Sequence, residues 1–213
     1  MAKGSLALVL HAHLPFVRHP EHAYHLEENW LYEAIVATYL PLIEVWRGLA
    51  RDGVKFRVTM SMSPPLTAML RDDLLRERAG QYLERLRALA EQERTRAASP
   101  AEIRRLADFY ADRFGRLGAL WNDVRGDVVD AFRQLQDDGF LELVTVGATH
   151  GFQPNIRDSR ARRAQIEVAC NSHRSHFGRW PRGIWLPECG YTEGLDAILA
   201  EAGLRYFLSL IHI

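Results

Sequence analysis

The chain has 213 residues, with 27 Lys and Arg against 27 Asp and Glu. A chain of this length can bury one sizeable core, and 47% hydrophobic with 25% charged residues is typical of a globular domain. Because the formal net charge is zero, no global field attracts nucleic acid or an anionic membrane, and we expect neither as a partner. The sequence leaves the oligomeric state open.

Residue usage near the N-terminus and the cysteine count favour a cytoplasmic protein. The two cysteines, Cys170 and Cys189, are too few for a disulfide framework. The apolar run Leu6–Leu10 is interrupted at once by His11 and His13, so it is too short for a signal-peptide core or a membrane span. We therefore expect a soluble protein in the cytoplasm.

Short apolar runs alternate with helical patterns along the chain. The run Ser5–Leu10 is typical of a strand buried on both faces, and a helix is predicted from about Trp30 to Arg51 with a kink or restart at Pro41. Outside 66–138, further strands are predicted over 54–62, 141–146 and 184–187, and residues 204–207 are predicted to begin a fifth strand. Further helices are predicted over 160–176 and 193–202. Strands separated by helices in this order predict an α/β fold with a parallel sheet and right-handed crossovers.

The region 66–138 differs in being long, rich in Arg and Glu, and helical in period. Ser99, Pro100 and Glu102 form a helix start, with a serine cap, proline at the first helical position and glutamate three residues after the cap. The region predicts an inserted antiparallel helical hairpin or small bundle. Its charges are expected to form a solvated face, the alternative being a docking surface for a partner or polymer.

Polar side chains follow three of the predicted strands: His11 and His13 the first, His150 the third and Glu188 the fourth. In a parallel α/β barrel the carboxyl ends of the strands share one rim, so we expect these residues to converge. Glu188 comes directly after a buried apolar strand containing Trp185. Because burying a carboxylate is costly, we expect this one to be paired or used in chemistry.

Two chemistries fit such a cluster. His11 and His13, two residues apart on an extended backbone, point to the same side and can bind a metal, as in a metal-dependent amidohydrolase. That site needs further His and Asp ligands, and the sequence supplies no recognisable pattern of them.

The alternative needs no metal and uses Glu188 as the carboxylate nucleophile of glycosidic bond cleavage. Trp30, Trp185, Phe16 and Phe152 would then offer flat apolar surfaces to sugar rings, although each is at least equally compatible with a place in the core. His11, His13 and His150 would hydrogen-bond sugar hydroxyl groups.

Three segments carry a specific resemblance. Residues 8–16 (LVLHAHLPF), 148–152 (ATHGF) and 183–191 (GIWLPECGY) resemble, in order and spacing, the first three signature regions of glycoside hydrolase family 57. The resemblance is greatest to the 1,4-α-glucan branching enzymes of that family, and 30–34 and 39–42 fit the same group. It covers essentially residues 5–207.

The resemblance implies the N-terminal part of an incomplete (β/α)7 barrel with an inserted helical region. It implies Glu188 as the nucleophile of a retaining α-glucan-active enzyme, His11, His13 and His150 as active-site and substrate-binding residues, and no metal or organic cofactor. Branching, which belongs to glycogen biosynthesis, cuts an α-1,4 link and passes the glucan to a 6-hydroxyl. An α-amylase or a 4-α-glucanotransferase of the same family is the nearest alternative, and a non-catalytic glucan-binding module is another.

The end of the chain departs from the family pattern. The family's general acid is an aspartate in a later motif, for which we find no counterpart. Leu208–Ile213 reads as the translation of a transposon-based sequencing adapter, the alternative being a genuine apolar fifth strand with a native stop. We expect residues 1–207 to be a truncated catalytic barrel with its helical insertion at about 66–138, residues 208–213 to be a non-native tail, and the chain alone to be inactive.

Overall fold

A computed structural model describes residue 4, residues 6–96 and residues 100–210. The chain divides into two compact units. The sheet unit comprises 1–16, 53–68 and 132–213, and the helical unit comprises 17–52 and 69–131. The predicted cap at Ser99 and the end of the predicted tail, 211–213, lie outside the described residues.

The sheet unit is built on five parallel strands whose order in the sheet is their order in the chain. They are β1 (Val9–Ala12), β2 (Val58–Met62), β3 (Leu141–Val146), β4 (Gly183–Trp185) and β5 (Tyr206–Leu208). Parallel neighbours need crossover connections, and helices supply several of them. The predicted α/β architecture with a parallel sheet is confirmed.

Two helices of the sheet unit pack on β3 and β4 and close a core. They are α7 (Ser159–Phe177) and α8 (Leu195–Glu201), the last two of the eight α-helices in the described part of the chain. As expected, Asp158 introduces α7: its carboxylate accepts a hydrogen bond from the Arg160 N–H. The buried apolar cluster between these elements contains Ile166, Cys170, Ile184, Leu186, Leu195, Ile198, Leu199 and Leu204. This core fixes β4, and with it the segment that carries Glu188.

The helical unit begins with the predicted helix around Pro41. It consists of α1 (Asn29–Ala34), a π-helical turn (Ile35–Tyr39) and α2 (Leu40–Arg51). Proline lacks the N–H that would continue the ladder, and a change of helical pitch just before it avoids the clash of its ring with the preceding turn. The predicted restart is therefore present, with Pro41 in the first turn of α2.

The long charged region folds as helices, as predicted. They are α3 (Pro64–Arg71), α4 (Asp73–Thr95), α5 (Ala101–Asp123) and α6 (Val128–Asp137). Gly80, early in α4, lies against the indole of Trp121, late in α5, and Arg94, late in α4, lies 3.8 Å from the carboxylate of Asp108. These contacts make α4 and α5 an antiparallel hairpin. Among the described residues, no helix combines the length and apolarity needed to cross a membrane.

Four of the five strands differ in their limits from those predicted, and β5 begins at Tyr206 instead of Leu204. β1 runs to Ala12, so His11 lies within it, and β2 begins only at Val58. β4 ends at Trp185, and Pro187–Cys189 form a 3₁₀ turn. Proline has no N–H for the ladder, so the strand ends at Trp185, before Pro187, and not at Pro187 as predicted.

Candidate active site

β1 and β2 present two matched pairs of side chains. His11 is the register partner of Ser61, and His13 and Ser63 come two residues later, each directly after the end of its strand. Nδ1 of His11 lies 2.6 Å from the Ser61 hydroxyl oxygen, and Nδ1 of His13 lies 2.8 Å from that of Ser63. Both serines are fully buried. The Nε2 edge of each ring is left for other partners.

The loop after β3 carries His150 in a left-handed conformation, with φ of 57°. Gln165 on α7 holds this loop: its side-chain oxygen accepts the Thr149 N–H at 2.9 Å and its amide donates to the Thr149 hydroxyl at 2.8 Å. The Ala148 N–H bonds to the Gln165 carbonyl. Left-handed backbone is strained for a residue with a side chain and concentrates at functional sites. The loop is therefore fixed in the position that brings His150 to β1.

Glu188 lies in the 3₁₀ turn after β4, where it and Cys189 both have positive φ, 50° and 56°. The turn is closed by the Cys189 N–H bonding to the Leu186 carbonyl at 2.8 Å and by the Ser209 hydroxyl donating to the Cys189 carbonyl at 2.8 Å. The expectation of a buried setting for this carboxylate is wrong: the Glu188 side chain is 76% exposed. The left-handed turn directs it away from the apolar core that holds the strand.

Four rings and one carboxylate from β1, the β3 loop and β4 come together. The imidazoles of His13 and His150 stack with centroids 3.5 Å apart and planes 6° apart, and His11 stacks on Trp185 at 4.6 Å. The carboxylate of Glu188 lies 3.8 Å from Nδ1 of His150. Five residues from separate parts of the sequence thus share one rim of the sheet.

The three imidazoles are held neutral at neutral pH. Partial burial, then the neighbouring His150 and His11, lower the pKa of His13 to about 4. The pKa of His11 is lowered by partial desolvation of its ring and by His150, while Glu188 opposes the shift. Burial likewise lowers the pKa of His150, again against Glu188. A neutral imidazole has one donor and one acceptor nitrogen and suits recognition of hydroxyl groups.

The arrangement of the histidines bears on the metal hypothesis. A metal ligand needs its nitrogen lone pair, which lies in the ring plane, aimed at the ion. His13 and His150 instead face each other with parallel rings, and each Nδ1 of His11 and His13 is engaged by a serine. Among the residues that the structure describes, no group of three or more His, Cys, Asp or Glu side chains is placed to hold a metal ion.

Of the aromatic candidates, Trp185 lies in the cluster and is half-buried on β4. Trp30 lies on α1 of the helical unit and is 48% exposed. Phe152 follows the His150 loop and packs against Gly190, where a methyl group would lie 2.2 Å from its ring. Trp30 is thus not a core residue, and its contact with substrate stays a prediction.

Sequence reasoning did not single out Ser61, Ser63 and Gln165. The serines carry a readable signal, because Ser-x-Ser on the second strand repeats the two-residue spacing of His-x-His on the first. Gln165 carries none, since its role depends on the path of the loop that it bonds.

The family model of Glycosyl hydrolase family 57 matches residues 7–209. The chain belongs to this family. It is 35% identical to the 1,4-alpha-glucan branching enzyme TK1436 of Thermococcus kodakarensis, over 96% of this chain and 32% of that protein.

Two solved structures superpose closely on this chain. The alpha-amylase AmyC from Thermotoga maritima matches with a TM-score of 0.90 and 40% identity, over 97% of this chain and 39% of that one. The TK1436 structure matches with a TM-score of 0.89 and 33% identity, over 97% of this chain and 40% of that one. The chain therefore spans about a third of the length of that curated relative, and its five strands form part of a family 57 barrel, as predicted.

Proposed function

We propose that this chain is the nucleophile-bearing part of a retaining α-glucan-active enzyme, and that the whole enzyme is a 1,4-α-glucan branching enzyme. The observation that carries the proposal is the setting of Glu188. Its carboxylate is exposed on a strained, hydrogen-bonded turn, 3.8 Å from His150 and on the rim that also holds His11 and His13. Family membership supports the same role.

In this mechanism Glu188 attacks the anomeric carbon of an α-1,4-linked glucan and forms a covalent glycosyl-enzyme as the leaving oxygen departs. An acceptor 6-hydroxyl then displaces the carboxylate, giving an α-1,6 branch with the original configuration retained. His11, His13 and His150 bind sugar hydroxyl groups, and Trp185 and Trp30 offer faces on which sugar rings stack.

A retaining enzyme also needs a carboxylic acid about 5 Å from the nucleophile to protonate the leaving oxygen. We propose that an aspartate outside this sequence supplies it, because the family resemblance places the acid in a later motif. The chain's span of 32% of TK1436 is compatible with that placement. No metal or organic cofactor takes part in the proposed reaction.

A second candidate within the family is an α-amylase, in which water replaces the acceptor hydroxyl. The specific observation that favours it is the 40% identity to AmyC, described as an alpha-amylase, against 33% to the TK1436 structure. Both candidates use the same nucleophile and differ in the acceptor. A 4-α-glucanotransferase would differ in the same way.

The test uses the gene product extended to the length of its relatives and incubated with amylose. Branching predicts a falling iodine stain and new chains released by a debranching enzyme, with few new reducing ends, whereas an amylase predicts reducing ends without branches. The Glu188→Gln variant is expected to lose at least about 1,000-fold in activity, because loss of a covalent nucleophile removes the main reaction path. Exposed Glu193→Gln is the control and should retain activity.

Two other classes remain as competing hypotheses. A metal-dependent amidohydrolase predicts stoichiometric metal in the purified protein and activity that a chelator abolishes. A non-catalytic glucan-binding module predicts glucan binding that is unchanged in Glu188→Gln without turnover in either form. A cytoplasmic location and a role in glycogen biosynthesis belong to the main proposal.

A further inference from the structure

Two buried serines contact the two histidines at the end of β1. Ser61 and Ser63 are both 0% exposed, and their hydroxyl oxygens lie 2.6 and 2.8 Å from Nδ1 of His11 and His13. Each serine thus contacts Nδ1 of its histidine, and Nε2 of the ring is left for another partner. The same contact is made twice, two residues apart along each of two neighbouring segments of the sheet.

The direction of the proton in each contact follows from the other partners. The Ser63 oxygen also accepts the Leu66 N–H at 3.4 Å, so its own hydrogen is available to His13. The Ser61 hydroxyl has no partner other than His11 within the described part of the chain. If His11 donated instead, a fully buried hydroxyl hydrogen would be left unpaired, at a cost of about 1–3 kcal/mol. Both serines therefore donate to Nδ1.

We infer that Ser61 and Ser63 are positioning residues that hold His11 and His13 as neutral imidazoles protonated at Nε2, so that each presents a hydrogen-bond donor to the ligand. The ligand class, a sugar whose hydroxyl oxygens accept these bonds, rests on the proposed function. The ring orientation and tautomer do not rest on it.

His150 provides an internal comparison. No serine stands behind it: its Nδ1 faces the Glu188 carboxylate at 3.8 Å, and its Nε2 is buried without a hydrogen-bond partner among the described residues. Its tautomer should therefore be insensitive to either serine.

Nitrogen-15 NMR of the histidine side chains tests the inference in the gene product extended to the length of its relatives, at a pH where the rings are neutral. For His11 and His13 we expect Nδ1 at the shift of an unprotonated, hydrogen-bonded nitrogen and Nε2 at that of a protonated one. Assignment comes from His11→Gln and His13→Gln, each of which removes one set of signals. In Ser61→Ala the two nitrogen shifts of His11 should move toward each other as the tautomers begin to exchange, with His150 unchanged; Ser63→Ala should do the same for His13.

The matched control is Thr145→Val, which removes another buried hydroxyl of the sheet unit, one that bonds the Ala169 carbonyl and no imidazole. It should lower stability without moving any histidine signal. Protonation at Nδ1 in the unmodified chain overturns the inference, and so does an unchanged His11 pattern in folded Ser61→Ala. If either serine variant fails to fold, the unmodified chain still decides the tautomer. Because the experiment measures ring protonation and not turnover, its result does not depend on whether Glu188 is the nucleophile.

Discussion

At the scale of single residues, the site depends on side chains held at unusual backbone positions. Glu188, Cys189 and His150 all have positive φ, a conformation that costs roughly 1–2 kcal/mol for a residue with a side chain. The hydrogen bonds between Thr149 and Gln165, and the bond that the Ser209 hydroxyl donates to the Cys189 carbonyl, stabilise these turns. The strained residues thus include Glu188 and His150, the two that are proposed to contact the substrate.

The buried histidines make stability depend on pH. The pKa of His13 is lowered to about 4, and burial together with His176 lowers that of His173 to about 3. The unfolded chain binds protons at these residues near pH 6.5, whereas the folded chain does not, so acid favours unfolding. The stability due to the neutral rings is complete above about pH 6.5 and is lost as pH falls toward 4 and 3.

We predict that His173→Leu flattens this dependence. His173 is 3% exposed and contacts Phe177, so an apolar side chain fits its surroundings. Its titration should contribute up to about 1.4 kcal/mol per pH unit below pH 6.5. Urea unfolding at several pH values measures the slope. The exposed His22→Gln is the control and should keep the slope of the unmodified chain; an equal slope in His173→Leu would contradict the assignment.

At the scale of elements, the short strand β4 is positioned by close packing on β5. Gly183 and Tyr206 are register partners, and the Tyr206 ring covers the Gly183 Cα so closely that an added Cβ would lie 2.3 Å from a ring carbon. Gly183 is therefore required by contact and not by backbone conformation. Displacement of Tyr206 would shift β4 and the Glu188 turn that follows it.

Gly183→Ala is predicted to lower the free energy of unfolding by about 1–3 kcal/mol, the usual cost of overpacking. Gly115→Ala is the matched control, because Gly115 lies in α5 with open space around the added methyl. There alanine should stabilise by about 0.5–1 kcal/mol through its helix propensity. Chemical denaturation measures both, and a Gly183→Ala variant as stable as the unmodified chain would refute the packing argument.

The limits of an element were predicted correctly from the sequence where local hydrophobicity or a capping residue determines them. Leu141–Val146 has the predicted limits, and Asp158 caps α7, because both follow from local hydrophobicity and capping chemistry. The limits of β1 and β4 depend on which residues find partners in the neighbouring strand, which local pattern does not contain. The exposure of Glu188 was missed for a related reason: two consecutive left-handed residues carry no sequence signal when neither is glycine.

At the scale of the whole molecule, β1 and β5 are the edge strands of the sheet, and exposed apolar side chains lie next to each of them in the sequence. Leu6 is 93% and Leu8 52% exposed beside β1, and Leu210 is 71% exposed beyond β5. Exposed strand edges of this kind promote association with other chains. The AmyC and TK1436 structures are more than twice as long as this chain, which covers 39% of the first and 40% of the second.

We predict that the 213-residue chain alone is marginally stable and does not turn over α-glucans. General acid catalysis contributes about 10²–10⁴-fold, and the proposed acid is not in this sequence. Reducing-sugar and branching assays should give no turnover for the chain and measurable turnover for the gene product extended to family length. Equal activity of the two would contradict the proposed external acid.

The central claim, that Glu188 is a covalent nucleophile, is tested most directly by trapping the glycosyl-enzyme. A 5-fluoro-α-glucosyl fluoride carries a leaving group that needs no protonation, so the extended protein can be labelled even when its general acid is removed. Mass spectrometry should find one sugar on the peptide that contains Glu188, and none in Glu188→Gln. A label on another residue, or no label in a protein that is active on amylose, would contradict the account.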